Sequence, residues 1–78
     1  MDITNLIHMA NRIADFHASW PDHQAAVDAT ADHIRKFWAP RMRRAILEAL
    51  GQAHTPALHP LALEALQQHR DDLMPAPH

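Results

Sequence analysis

The sequence contains no cysteine and no tyrosine, and only one glycine (Gly51), one valine (Val27) and one serine (Ser19). Without cysteine, disulfides, iron–sulfur ligation and thiol chemistry are excluded. A single glycine leaves nothing to build the glycine-rich loops that cradle nucleotide phosphates. Scarce β-branched and aromatic residues disfavour strands, whereas abundant Ala and Leu favour helices. No stretch approaches the ~18 apolar residues of a membrane span. The start, "MDITNLIHMANR", lacks the basic segment and apolar run of a secretory leader. A cytoplasmic, all-α protein without a membrane contact is the expectation.

The 78 residues suffice for one small domain. A chain of this size buries about 60 to 65% of the surface it exposes when unfolded, so its core is thin. Apolar surface left uncovered on such a domain can drive self-association in isolation, or be covered by a partner.

Four amphipathic segments follow. Leu6, Met9, Ala10, Ile13, Phe16 and His17 recur at helical spacing and predict a first helix over Thr4–Ser19, capped by Asp2 or Thr4 and ended by Trp20-Pro21. Asp22 is placed to cap a second helix, His23–Trp38, with an apolar stripe of Ala26, Val27, Thr30, Ala31, Ile34, Phe37 and Trp38. Pro40 ends it and opens a third, Pro40–Leu50, with Met42, Ala45, Ile46, Ala49 and Leu50 inward and Gly51 as its terminator. "QAHTPALHP" reads as a connection in which Thr55 or His59 caps a shorter helix, Pro60–Arg70, with Leu63 and Leu66 inward. The expected domain is therefore 1–70, three main helices and a shorter fourth, with 71–78 a flexible tail.

Catalytic constellations are not found. The eight histidines include no pair three or four apart on a helix, the spacing that puts two ligands on one face. His54 and His59 are five apart in the proline-containing connection. Ser19 sits at a helix end and reads as a cap rather than as an activated nucleophile, which needs an oriented base. The expectation is a chain that binds no metal or cofactor of its own and catalyses nothing.

Charge is where the sequence is unusual. The net charge is −2, yet five of its seven Lys and Arg residues lie within "HIRKFWAPRMRR", His33–Arg44, with no acid among them. The acidic balance argues against nucleic-acid binding. Arg35 and Lys36 fall in the last turn of the second helix, where the helix dipole favours cations. Arg41, Arg43 and Arg44 fall in the first turn of the third, where it disfavours them, and Ala39 offers no capping oxygen. Such a turn is suited to an anion. That anion is either internal, with Asp28, Asp32 and Glu48 as candidates, or belongs to a partner. Phe37 and Trp38, adjacent on a helix, diverge by about 100°, so one enters the core and the other stands at the rim.

"MANRIADF" (Met9–Phe16) followed by "ADHIRKFWAPRMRR" (Ala31–Arg44) resembles the delta subunit of NAD-dependent, molybdenum-containing formate dehydrogenases. Asn11 and Ile13 match the first element, with Arg12 in place of a usual Gln. His33, Arg35, Phe37, Trp38, Pro40, Arg41, Met42 and Arg43 match the second. Ile34 stands for Leu, and Ala39 stands where an acidic cap is frequent. The resemblance covers about Asp2 to Leu66. It implies an accessory subunit without redox centres, in a complex that carries bis-molybdopterin guanine dinucleotide, iron–sulfur clusters and FMN. In that family the large subunit oxidises formate to carbon dioxide and electrons pass to NAD. The expected partner is that large catalytic subunit, met by Arg41, Arg43, Arg44 and Trp38, with Asn11 and Arg12 as lesser contacts. Support of assembly, cofactor insertion or stability is the implied role; direct carriage of the pterin dinucleotide by the arginines is the alternative.

Overall fold

A computed structural model describes residues 2–50 and 57–75. Among these residues the chain is all-helical: α1 (Ile3–His17), α2 (His23–Phe37), α3 (Pro40–Ala49), α4 (Pro60–Gln68) and α5 (Arg70–Leu73). The calls on Gly51 and Thr55, and the histidines at 54 and 78, lie outside the described residues.

Local chemistry accounts for the boundaries. Asp2 accepts a hydrogen bond from the Thr4 N–H at 3.0 Å and starts α1. Asp22 does the same for Gln24 and Ala25 at the start of α2. The first helix ends two residues before the predicted Ser19. There the Trp20 N–H turns back to the His17 carbonyl at 3.1 Å, ahead of Pro21. At the α2–α3 junction, Trp38 and Ala39 are both extended, with ψ of 139° and 149°. This is the conformation that a following proline imposes on Ala39. Pro40 occupies the first turn of α3, where its missing N–H costs nothing. The His59 side chain accepts from the Leu61 N–H at 3.1 Å and starts α4.

The expected fourth helix does not run to Arg70. It stops at Gln68, His69 breaks the helical backbone (φ −105°, ψ 22°), and the short α5 follows. Helix α5 lies across the expected tail boundary at Asp71, and its Leu73 is only 1% exposed and belongs to the core. One apolar side chain, fully buried, outweighs the fraying of a terminal turn: burial of a Leu is worth about 1.5–3 kcal/mol.

Helix α2 is the hub, packed most extensively on α4 and then on α1. Its Val27, Ala31 and Ile34 meet a core completed by Leu6, Ile46, Leu47 and Leu66. Leu47, outside the predicted stripe, is buried, whereas Met42, Ala45 and Leu50 are only partly so. Alanines with almost no exposure on three helices (Ala10, Ala14, Ala26, Ala62, Ala65) let backbones approach closely. Thr30 is completely buried and polar. Its hydroxyl donates to the Ala26 carbonyl at 2.8 Å, and His17 Nδ1 lies 3.3 Å from the same oxygen while bonding the Ile13 carbonyl at 2.9 Å. The pair ties α1 to α2 without leaving a buried polar group unsatisfied.

Candidate interaction surface

The positive charge divides into two populations. At the end of α2, Asp32 lies 2.6 Å from Arg35 and 3.0 Å from Lys36. These contacts to Lys36 and then Arg35 hold the Asp32 carboxyl below its ordinary value. Both cations are thus paired within their own helix, by a single carboxylate. Across α3, by contrast, no carboxylate among the described residues lies within ion-pair distance of Arg41, Arg43 or Arg44. The internal anions considered from sequence are engaged elsewhere or apart. Asp28 is bound by His69 Nε2 at 2.8 Å and by the Gln24 amide at 2.9 Å. Asp32 serves α2, and Glu48 makes no ion pair among the described residues.

The three arginines do not act as one cluster. At about 100° per residue, Arg41 and Arg44 are about 60° apart and share the outer face of α3 with Glu48. They border a shallow depression of about 300 Å³ with Pro40, Ala45 and Pro75. Arg43 lies about 100° further round, toward the side that carries Ile46 and Leu47. It is half-buried, and its Nε is enclosed without a hydrogen-bond partner. Ala39 makes no side-chain cap, so no local acceptor offsets the positive helix start.

Of the aromatic pair one residue is buried and the other exposed. Trp38, expected as a contact residue, is 5% exposed and part of the core, whereas Phe37 is 73% exposed. The reason is backbone geometry: α2 ends at Phe37, and the extended Trp38 is freed from the helical direction and turns inward. Asn11, another expected contact, is spent inside the fold. Its side-chain NH₂ donates to the Ala57 carbonyl at 3.0 Å and its oxygen accepts from the His59 N–H at 2.7 Å. One amide side chain thereby satisfies two backbone groups and fixes the entry to α4. His59 is further held by Asp15, 3.2 Å from its Nε2. Arg12, exposed on the next position of α1, has no such partner among the described residues.

Arg12 instead borders an apolar groove between α1 and the end of α2. Met9 and Ile13 of α1 form one wall and Phe37 the other, with Trp38 and Met42 beneath, in a space of about 320 Å³. A second depression continues it past Ile13 to Phe16 and His17. Phe16, expected in the core, is 74% exposed. The buried residues of α1 (Leu6, Ile7, Ala10, Ala14, His17) lie about 100° round the helix from Met9, Ile13 and Phe16. The apolar arc therefore covers roughly half the circumference, wider than the ~100° stripe that one interface needs. That width is the sequence signal by which the groove is detectable. On α2, His33 stacks on Phe37 with ring centroids 4.8 Å apart.

Other chemistry is sparse. Among the described residues no three His, Asp or Glu side chains converge as a metal site, and no helix is long and apolar enough to cross a membrane. The histidines serve as bridges: His23 reaches Glu64 at 3.0 Å and His69 reaches Asp28, both joining α2 to the C-terminal helices.

Among the described residues the molecule is a small helical domain with an exposed basic face on α3 and an uncovered apolar groove. The model of the NADH-dependent formate dehydrogenase delta subunit family, FdsD, matches residues 5–66, and the chain belongs to that family. No curated protein and no solved structure gives a match.

Proposed function

We propose that the chain is a non-catalytic accessory subunit that docks on the large catalytic subunit of a formate dehydrogenase complex in the cytoplasm and supports its assembly, cofactor insertion or stability. The observation that carries this reading is the pair Arg41 and Arg44, exposed at an uncapped helix start and without a carboxylate partner among the described residues. The helix dipole disfavours Arg41, in the first turn of α3, by about 0.3–1 kcal/mol, and Arg44, three residues on, adds like-charge repulsion. A partner's carboxylates, which an arginine fork grips in two-point fashion, reverse the sign of that contribution. The bis-molybdopterin guanine dinucleotide, iron–sulfur clusters, FMN and NAD belong on this reading to the larger subunits; a chain without cysteine offers no thiolate for a cluster.

The alternative, in which the arginines carry the pterin dinucleotide by its phosphates, rests on the same two side chains. Glu48 borders the same depression and repels phosphates and partner carboxylates alike, so co-purification decides between the two readings. Co-expression of the tagged chain with the large subunit, followed by affinity purification, tests the reading. Stoichiometric retention of the large subunit is expected, without formate oxidation by the chain alone. A chain that comes off the column without the large subunit, but with a pterin nucleotide, would replace this reading with the alternative.

A further inference from the structure

The groove between α1 and the end of α2 is separate from the face of Arg41 and Arg44, and its composition specifies an occupant. Its walls, Met9, Ile13 and Phe16 on one side and Phe37 on the other, expose two phenyl rings by about three-quarters in a chain with only four aromatic Phe and Trp residues. Methionine and phenylalanine walls of this kind adapt to an inserted apolar side chain. The titratable groups that line it are Arg12 and His33 at the rim and the buried His17, and among the described residues no Asp or Glu lines either part of the groove. Asp15, the acid on the same stretch of α1, is engaged by His59, and Asp32 on α2 by Arg35 and Lys36. From Met9 to Phe16 the α1 wall rises about 10 Å, two helical turns.

We infer that this groove receives a two-turn amphipathic helix of the large catalytic subunit, apolar on its inserted face and flanked by carboxylates that meet Arg12 and His33. This inference rests on the docking reading above. It adds a second contact that grips by apolar insertion where the arginine face grips by charge. A second copy of the chain fits the groove less well. In a two-fold contact both copies present this same face, and among the described residues it offers no carboxylate to meet Arg12.

The test uses the co-purified complex. Phe16→Ala with Phe37→Ala is expected to leave the circular dichroism spectrum and melting temperature of the isolated chain unchanged, because both rings are largely in solvent. The same pair is expected to lower retention of the large subunit by about tenfold or more, the effect of truncating interface aromatics. Arg12→Glu is expected to weaken retention, and Arg12→Lys to restore most of it. A photo-reactive phenylalanine analogue at position 37 is expected to cross-link to an acid-flanked amphipathic segment of the large subunit. Wild-type retention by the double alanine variant, or a cross-link to a second copy of this chain, overturns the groove assignment while leaving docking through the arginines intact. Failure of the wild-type chain itself to retain the large subunit overturns both.

Discussion

Two basic turns lie on either side of Pro40 and are opposite in character. At the end of α2, Arg35 and Lys36 sit where the helix dipole favours cations and share Asp32. At the start of α3, Arg41 sits where it disfavours cations, with Arg44 three residues on, and neither has a carboxylate partner among the described residues. The apolar residues beside these turns repeat the contrast: Trp38 is buried and Phe37 is bare. The difference separates what the chain needs in order to fold from what it carries for something else. A residue whose environment is complete within the molecule is explained by the fold. A residue placed against its local electrostatics, or left uncovered in a domain with little apolar surface to spare, is on the proposed reading one that a partner completes.

The largest expected break in this comparison is between neighbours. Trp38→Ala is expected to destabilise the chain by about 3–5 kcal/mol, as loss of a buried large aromatic does. Phe37→Ala is expected to stay within about 0.5 kcal/mol. Urea denaturation of the two variants measures both. Equal losses would mean that Phe37 is a core residue in solution.

A smaller contrast is expected on α1. Asn11→Ala leaves the Ala57 carbonyl and His59 N–H without partners and is expected to cost about 1–3 kcal/mol. Arg12→Ala, one residue on, is expected to stay within about 0.5 kcal/mol. Hydrogen exchange at the start of α4 localises the Asn11 effect; unchanged protection there would remove its role as a clamp.

Acid supplies a third test. The Asp28 carboxyl is held below its ordinary value of 3.8 by hydrogen bonds from His69 and then Gln24. A carboxyl depressed on folding stabilises the native state above its unfolded pKa, and that stabilisation is lost as pH falls through the folded pKa. Asp28→Asn is therefore expected to melt below wild type near neutral pH, with the gap closing as pH drops below about 3.8. A gap that persists unchanged into acid would show that the Asp28 charge does not contribute.

Much of the fold was legible in the sequence because its local signals agree. Asp2, Asp22 and His59 cap the helices for which short polar or ring acceptors were sought, and Pro21 and Pro40 punctuate the chain as proline must. The site was less legible. Adjacent residues on a helix diverge, so "Phe-Trp" promised one residue in and one out. Which of the two turned inward depended on where α2 stopped, and a one-residue boundary lies beyond what periodicity resolves. Asn11 was legible as a member of a motif but not as a clamp, because its partners stand 46 and 48 residues away. Phe16 looked like core because a wide apolar arc and a narrow one give the same spacing of three and four. Leu73 escaped notice because a single apolar residue in a polar terminus carries no period.

Arg41 stands against the dipole at the start of α3 with Arg44 beside it, and on the proposed reading both serve a partner. Arg41→Glu with Arg44→Glu tests it most directly, since acids are favoured at the start of a helix. Helicity and melting temperature are measured on the isolated chain, and retention of the large catalytic subunit on the same preparation. The account predicts unchanged or slightly higher melting, together with binding reduced by about 2–5 kcal/mol, the scale on which interfacial charge pairs fail when one partner is lost. An unfolded variant would show that the arginines serve the fold, and a folded variant that still binds at wild-type strength would contradict the docking role.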